Sequence, residues 1–451
     1  MKITIPENPS EIINRLENRG FEAFAVGGCV RDAMLGIAPH DWDICTNALP
    51  GQIKQCFAQF KTIDTGIRHG TVGIVLDNTP YEVTTYRVDG HYSDNRRPDR
   101  VSFTSDITRD LSRRDFTVNA IAFSEKRGLI DPFDGIRDLK NGVIRCVGNP
   151  NERFNEDALR ILRALRFASR LGFVIEANTA DELKQNALLL KNIAAERIQA
   201  EFTQILTGKY AEEILNEYRE VIAVFIPEIT PCFDFDQHTV HHKYDVYRHI
   251  TRSVAGVNNE PVLRISMFFH DIAKPLAMTE DSDGTRHFKG HQKLSADIAN
   301  DVLRRLKYPN ALVDSCVKLI LYHDVRFNGT KKQVKRLMNK VGKDLMPMLF
   351  KVMKADYNSQ SDFMREEKLS SVTNAEKQYE QILLDNECFS LKELKIKGND
   401  LISTGICEGK TIGIILNALL DEVIEEKTKN KKADLLNRAK QLLNETKRAD
   451  L

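Results

Sequence analysis

The spacing of apolar residues changes character once along this chain, near residue 150, and that change limits what it can fold into. Before it, β-rich runs mix with helical spacing. Helices are predicted around Ile12–Leu16 and over 50–57, and strands at Phe24–Val26, 71–76 (TVGIVL) and 81–87 (YEVTTYR). Asp77-Asn78-Thr79-Pro80 between the last two is a hairpin turn signal. From Phe154 almost to the C-terminus the spacing is helical, ending in a charged amphipathic helix, KKADLLNRAKQLLNETKRADL. Gly148, Asn149 and Pro150 punctuate the junction. The expected fold class is α+β, a mixed sheet with helices followed by an all-helical remainder. A chain of 451 residues exceeds one ordinary core, so two to four domains are expected.

Residues 25–45 (AVGGCVRDAMLGIAPHDWDIC) hold the densest chemistry. The first strand runs into Gly27 and Gly28, where the missing side chains let a phosphate approach the backbone. Val30–Leu35 reads as a helical turn from which Arg31 reaches the same phosphates as a rigid fork. Asp41, Trp42, Asp43 and Ile44 alternate polar with apolar, the period of a half-buried strand. That period puts Asp41 and Asp43 on one face, about 6–7 Å apart. Such a pair can hold magnesium against the phosphates of a nucleotide. A glycine turn beside a solvated acidic edge is the simpler alternative. A second cluster, DITRDLSRRDFTVNAIAF (106–123), sets Arg113, Arg114 and Asp115 beside Asn119. Consecutive arginines suit phosphate contacts, or equally a surface ion-pair network.

The net charge is only +1, so any site for a polyanion must come from a local arrangement of basic residues. The start, MKITIPENPSEII, lacks the apolar stretch of a secretory signal, and no run reaches membrane length. Eight cysteines without a CxxC pair argue against a disulfide framework and against a cysteine zinc knuckle. A cytoplasmic protein with reduced thiols is expected.

As an ordered series, GGCVRD with DWD, RHGTVGIVL, YEVTTYRVDG, RRPDRVSF and LSRRDFTVNA resemble the class II nucleotidyltransferases of the polymerase β superfamily, and within it the CCA-adding tRNA nucleotidyltransferases. The resemblance covers most of the chain. It implies a catalytic head (1–150), a helical neck (151–236), a body (237–345) and a tRNA-binding tail (346–451). It also implies magnesium-dependent transfer of CMP, CMP and AMP, from CTP and ATP, to the 3′ end of tRNA without a template. On this likeness Gly28 and Arg31 bind the triphosphate, Asp41 and Asp43 bind magnesium, and Arg114 contacts the nucleotide. Glu82 is a weaker candidate for a third acid. The implied partner is tRNA, held at its acceptor end and elbow; DNA and membranes are not expected, and monomer and homodimer both stay open.

ERFNEDALRILRALRFASRLGF (152–173) is predicted as one helix, with Asp157, Arg160, Arg163 and Arg166 recurring among core-like leucines. Each three-residue step backs the side chain round by about 60°, so Asp157 and Arg160 are neighbours. Helix ion pairs account for the pattern, although burying these arginines without an anion would be costly. In the resembled family EDALR selects the base. Asp157 would accept from the exocyclic amino group of C or A while Arg160 donates to ring acceptors, and U or G would leave buried groups unpaired. Arg163 and Arg166 are assigned to phosphate or RNA charge. AAERIQAEFTQIL (194–206) resembles the neck motif, with Glu196 and Arg197 structural. Residues 89–101 resemble the loop that helps switch from C to A addition. Residues 399–430 resemble the tail, in which Gly405, Gly409 and Gly413 would let helices or RNA approach closely; a plain helix-turn-helix is the alternative.

A separate constellation in the helical part comprises His249, His270 and Asp271 in FFHDIAK, His291, and His323 with Asp324. It resembles the HD metal-dependent phosphohydrolases, and imidazoles with a carboxylate suit a transition metal or magnesium centre. His249, His270, Asp271 and His291 form the expected ligand set, completed by Asp324 or His323. A poly(A) polymerase or A-adding enzyme of the same family, an RNA-binding protein without catalysis, and a hydrolase using the head as a nucleotide sensor are the competing functions.

Overall fold

The computed structural model describes residues 3–90, 101–403, 405 and 409–449. Most of the predicted loop at 89–101 therefore lies outside the described residues. The chain forms two compact units, Met1–Thr230 and Pro231–Leu451.

In the first unit α1 (Glu7–Asn18) buries Ile12, Ile13 and Leu16. It is followed by β1 (Ala23–Val26), α2 (Gly28–Met34), β2 (Ile44–Thr46), α3 (Pro50–Cys56), β3 (Thr62–Ile63), β4 (Thr71–Leu76) and β5 (Thr79–Thr85). Next come β6 (Arg87–Asp89), β7 (Val101–Phe103), α4 (Ile107–Ser112), β8 (Ala122–Ser124), β9 (Gly128–Ile130) and α5 (Gly135–Asn141). Among the described residues the main sheet has the strand order β3-β4-β5-β2-β1-β8-β9, and β6 pairs with β7 separately. Within the main sheet only β2 and β5 run parallel. Their register sets Ile44 against Val83, so the preceding residues, Asp43 and Glu82, come abreast.

Three details differ from the sequence reading. The strand begins at Ile44 rather than Asp41, yet the alternation survives: Asp41 and Asp43 are exposed while Trp42 and Ile44 are buried. The Val26 amide still donates to the Asp43 carbonyl, at 3.0 Å. The hairpin turn is tighter than the four residues predicted, because Asp77 and Asn78 take φ of 47° and 60° and Thr79 already pairs with Leu76. Short polar side chains tolerate that left-handed pair, which matches the strand twist. The run 81–87 is interrupted at Tyr86, where β5 ends before β6 begins.

The neck helices are α6 (Pro150–Glu156), α7 (Leu159–Leu171), α8 (Ala177–Gln185), α9 (Ala195–Leu206), α10 (Ala211–Glu217) and α11 (Arg219–Phe225). The single helix predicted over 152–173 is broken at Asp157, which is extended (φ −138°, ψ 100°). Its carboxylate accepts from the Leu159 amide at 3.1 Å and so starts α7, a capping role that competes with helix continuation. α7 buries Ile161, Leu162, Leu165 and Ala168 and packs on α9. In α5, Gly135 is sterically required: a Cβ there would lie 2.2 Å from the Thr117 carbonyl oxygen.

Among the described residues the second unit is helical apart from a short two-stranded ribbon. It comprises α12 (Val246–Ala255), α13 (Pro261–Phe269), α14 (Lys274–Ala277), α15 (His291–Arg305), α16 (Asn310–Tyr322), α17 (Lys331–Val341), α18 (Met346–Ser359) and α19 (Arg365–Leu384). The last helices are α20 (Gly398–Ser403), α21 (Lys410–Ile424) and α22 (Lys432–Ala449), the last being the predicted amphipathic helix. Leu401, Leu419, Leu420, Leu435 and Ala439 share a core with Ile415 and Ile424. Among the described residues no helix comes close at Gly405, Gly409 or Gly413, since a Cβ at any of them meets nothing within 4 Å. Gly405 and Gly409 are instead explained by φ of 67° and 63°. The cysteines among the described residues are free thiols. No described helix is long and apolar enough to cross a membrane.

Candidate active site

The centre of the first unit is the edge where β1, β2 and β5 present Gly27, Asp41, Asp43 and Glu82. Desolvation lifts the Asp43 carboxyl above its ordinary value; Arg114 opposes this, and Asp41 adds to it. Glu82 is likewise raised, by desolvation and then by Asp43 and Asp41. The three acids therefore repel one another, and the pairing seen for Asp41 is with exposed His40 at 3.0 Å. Adjacent carboxylates short of positive charge fit a hard divalent cation with oxygen ligands.

Arg114 supplies the opposite charge. Among the described residues its Nε is buried without a hydrogen-bond partner, and Asp110 Oδ2 lies 3.6 Å from its Nη2. Gly27 (φ 83°) makes room for it, since a Cβ there would sit 2.8 Å from Arg114 Nη1. Arg31 is less available than the sequence reading has it. It is buried, donating from Nη1 to Asn119 Oδ1 at 2.6 Å and from Nε to Asp32 at 2.8 Å.

The arginines of the neck are also engaged. Arg163 Nε donates to Asp115 Oδ2 at 2.7 Å, and Arg166 Nε lies 3.2 Å from Glu201 Oε2. The sequence reading gives both to phosphate or RNA charge; in this structure carboxylates distant in sequence pair with them. Burial alone would raise the Asp115 carboxyl, but Arg163 and Asn119 together hold it well below the usual carboxylate range. Arg160 donates to Glu156 Oε2 (2.7 Å) and to the carbonyls of Arg153 (3.0 Å) and Arg113 (2.9 Å). Asp157 is held by Arg197, at 3.0 and 3.3 Å. The helical neighbourhood predicted for Asp157 and Arg160 is thus replaced by a cap residue and a clamp. Arg197, read from the sequence as structural, sits on the proposed base selector.

Comparison with known proteins identifies the family. Residues 23–145 match the poly A polymerase head domain family, 172–233 the RNA and SrmB binding site family of polymerase A, and 290–439 the tRNA nucleotidyltransferase domain 2 family. The CCA-adding enzyme of Ligilactobacillus salivarius is 35% identical over 435 residues, covering 96% of each chain. This chain belongs to the CCA-adding enzymes. The enzyme of Limosilactobacillus fermentum is 53% identical over 213 residues, 46% of this chain and 53% of that one. Among solved structures, the Bacillus stearothermophilus CCA-adding enzyme in complex with CTP aligns over 99% of this chain and 100% of its own (27% identity, TM-score 0.71). The Thermotoga maritima CCA-adding enzyme complexed with tRNA shares the fold (22% identity, 98% and 97% coverage, TM-score 0.58).

The chain carries a second cluster, within its other unit. His249 from α12, His270 and Asp271 after α13, and Asp356 from α18 lie with their ligand atoms within 4.8 Å of one another; so do Asp271, His291 and His323. Among the described residues these are the groups drawn so close, and the head acids form none. Each imidazole turns Nδ1 to a main-chain carbonyl: Ser359 (3.3 Å), Met267, Phe288 and Ile320 (2.7 Å each). A carbonyl only accepts, so Nδ1 carries the proton and Nε2 faces inward, the orientation from which a neutral imidazole ligates a metal. His323 joins the predicted set, whereas Asp324 is held aside by Gln292 at 2.8 Å. Asp356 was missed from the sequence because nothing near it in the chain is a ligand.

Proposed function

We propose that the first unit carries out CCA addition through Asp41, Asp43 and Arg114, with Asp157 and Arg160 choosing the base. The observation that carries this is the run of mutually repelling carboxylates facing an under-partnered arginine across a glycine turn. The four-part division at 150, 236 and 345, with tRNA held by neck and tail, belongs to the same proposal.

The reaction joins the tRNA 3′-hydroxyl to the α-phosphorus of CTP or ATP and releases pyrophosphate. Asp41 and Asp43, with Glu82 abreast, would hold magnesium, which supplies neutralising charge and acidifies the attacking hydroxyl. Arg114 places a guanidinium against the triphosphate, and Gly27 lets that guanidinium lie on the main chain. Arg31, fixed by Asn119 and Asp32, supports the same wall. Because Arg197 holds Asp157, the selector carboxylate is oriented before a base arrives, and little ordering is left for binding. The test uses purified protein and tRNAs lacking one, two or all three terminal nucleotides. Stepwise addition of C, C and A is expected with CTP and ATP; a lengthening A tract would instead favour a poly(A) polymerase.

Base choice should depend on Asp157. Each lost buried hydrogen bond is worth roughly 1–3 kcal/mol, about one to two decades of discrimination. Asp157→Ala should therefore weaken C and A incorporation and let UTP and GTP compete, in single-nucleotide addition with each nucleotide separately. Unchanged ratios among the four nucleotides would sink the assignment.

A second reading applies to the other unit, whose inward-facing imidazole Nε2 atoms and shared carboxylates favour a divalent metal centre able to support phosphoester hydrolysis. Elemental analysis should find metal in the wild type and strongly reduced metal in Asp271→Asn. Equal content in the two proteins would count against it.

A further inference from the structure

We propose that Asp110 is a positioning residue acting through Arg114: it is the resting counter-ion that the triphosphate displaces, and it keeps pyrophosphate from being retained after transfer. This rests on the reading of Arg114 as the triphosphate contact and adds to it a second, opposing partner.

Asp110 lies on α4 and is wholly buried, where a carboxylate needs partners for both oxygens. The two oxygens differ. Oδ1 accepts from Arg113 Nε at 3.0 Å and from the Arg87 amide at 3.2 Å, with Arg113 Nη2 at 2.9 Å. Oδ2 is buried with no hydrogen-bond partner among the described residues. Arg114 Nη2 stands 3.6 Å from it, beyond hydrogen-bond reach but close enough for strong attraction. Two complementary groups thus face each other without closing the bond.

Backbone anchoring explains the gap. The Arg114 amide donates to the Leu111 carbonyl at 3.2 Å, and the Arg113 carbonyl accepts from Arg160. On the other side the Asp115 carboxylate is held by Arg163 and Asn119. Residue 114 is therefore fixed from both sides, and its guanidinium reaches to the Gly27 turn, where a Cβ would sit 2.8 Å from Nη1. From there its charge is felt at Asp43, whose upward shift it opposes. The guanidinium lies between one carboxylate of the reacting edge and one that takes no part in the chemistry.

A triphosphate oxygen can give Arg114 the charge-assisted bond that Asp110 withholds. Pyrophosphate can do the same, because the leaving group keeps the β and γ phosphates. An unopposed guanidinium would bind substrate and product alike, which raises affinity and slows turnover. A buried negative charge behind it weakens both, and each nucleotide added requires one departure of pyrophosphate.

The test compares the full chain with Asp110→Asn, Asp110→Glu, Arg114→Met and the Asp110→Asn, Arg114→Met double variant. Asn keeps Oδ1 for Arg113 and the Arg87 amide, and since no described group donates to Oδ2, no donor there is stranded. Without tRNA nothing turns over, so calorimetric titration reads the binding of CTP, ATP and pyrophosphate directly, with thermal melts in parallel. Asp110→Asn should tighten all three about tenfold and lower KM for CTP and ATP alike. Asp110→Glu, whose extra methylene brings the carboxylate onto Arg114, should weaken them. Arg114→Met should also weaken them, and in its background Asp110→Asn should change little. Tightening that persists in full without Arg114 would overturn the route through that residue. Shifts of the same sign in Asp110→Asn and Asp110→Glu, or none in Asp110→Asn, would overturn the inference while leaving the triphosphate contact. Equal binding in Arg114→Met and wild type would remove that contact and the inference with it.

Discussion

Replacing Asp41 or Asp43 by Ala should lower CCA addition by about three decades or more, while tRNA binding persists. Charge stabilisation by a bound cation is worth several kcal/mol in a phosphoryl-transfer transition state, and about 1.4 kcal/mol is a tenfold change in rate. Both carboxylates are exposed on one face beside Gly27, and Asp43 is already lifted by desolvation and by Asp41. Neither supports the core, so the loss should appear in the chemical step and leave stability nearly unchanged. Single-turnover addition with a shortened tRNA, with thermal melts in parallel, separates the two. Near-normal turnover in both variants would remove the magnesium assignment.

The largest stability effect is expected at Asp115. Its carboxylate accepts from Arg163, from Asn119 at 3.0 Å and from the Phe116 amide at 2.9 Å. Asp115→Ala would strand all three donors. Breaking a fully buried ion pair costs roughly 3–5 kcal/mol. A third of the Arg163 side chain reaches solvent (33%), so about 2–3 kcal/mol is the fitting expectation. The pH dependence has a fixed sign. The folded carboxyl lies below its unfolded value, so its contribution is complete above the ordinary carboxylate range and is lost as pH falls through that range and below. Denaturant melts of wild type and variant should therefore converge on acidification. A gap independent of pH would show that Asp115 does not act through its charge.

Much of the head was legible because its signals are local. The glycine pair, the alternating aspartates and the Arg114–Asn119 run each sit on a few consecutive residues, where side-chain period and turn chemistry decide the outcome. The break at Asp157 was hidden by continuous helical spacing on both sides, although an aspartate before Ala158 and Leu159 is itself a capping signal. The partners of the neck arginines were hidden for another reason. Arg163 and Arg166 look excessive on their own helix, and their neutralising partners, Asp115 and Glu201, come from other elements. Asp356 shows the same limit, as a candidate ligand on α18 recognisable only once the fold brings it to His249.

Gly135 carries a different kind of consequence. It touches no substrate and offers no chemistry, yet it packs against the Thr117 carbonyl, two residues before the Asn119 side chain that joins Arg31 to Asp115. In a saturation library scored by growth, this position should tolerate as little variation as the aspartates themselves. Part of the genetic cost of accurate tRNA ends is thus borne by a residue whose only property is to be small.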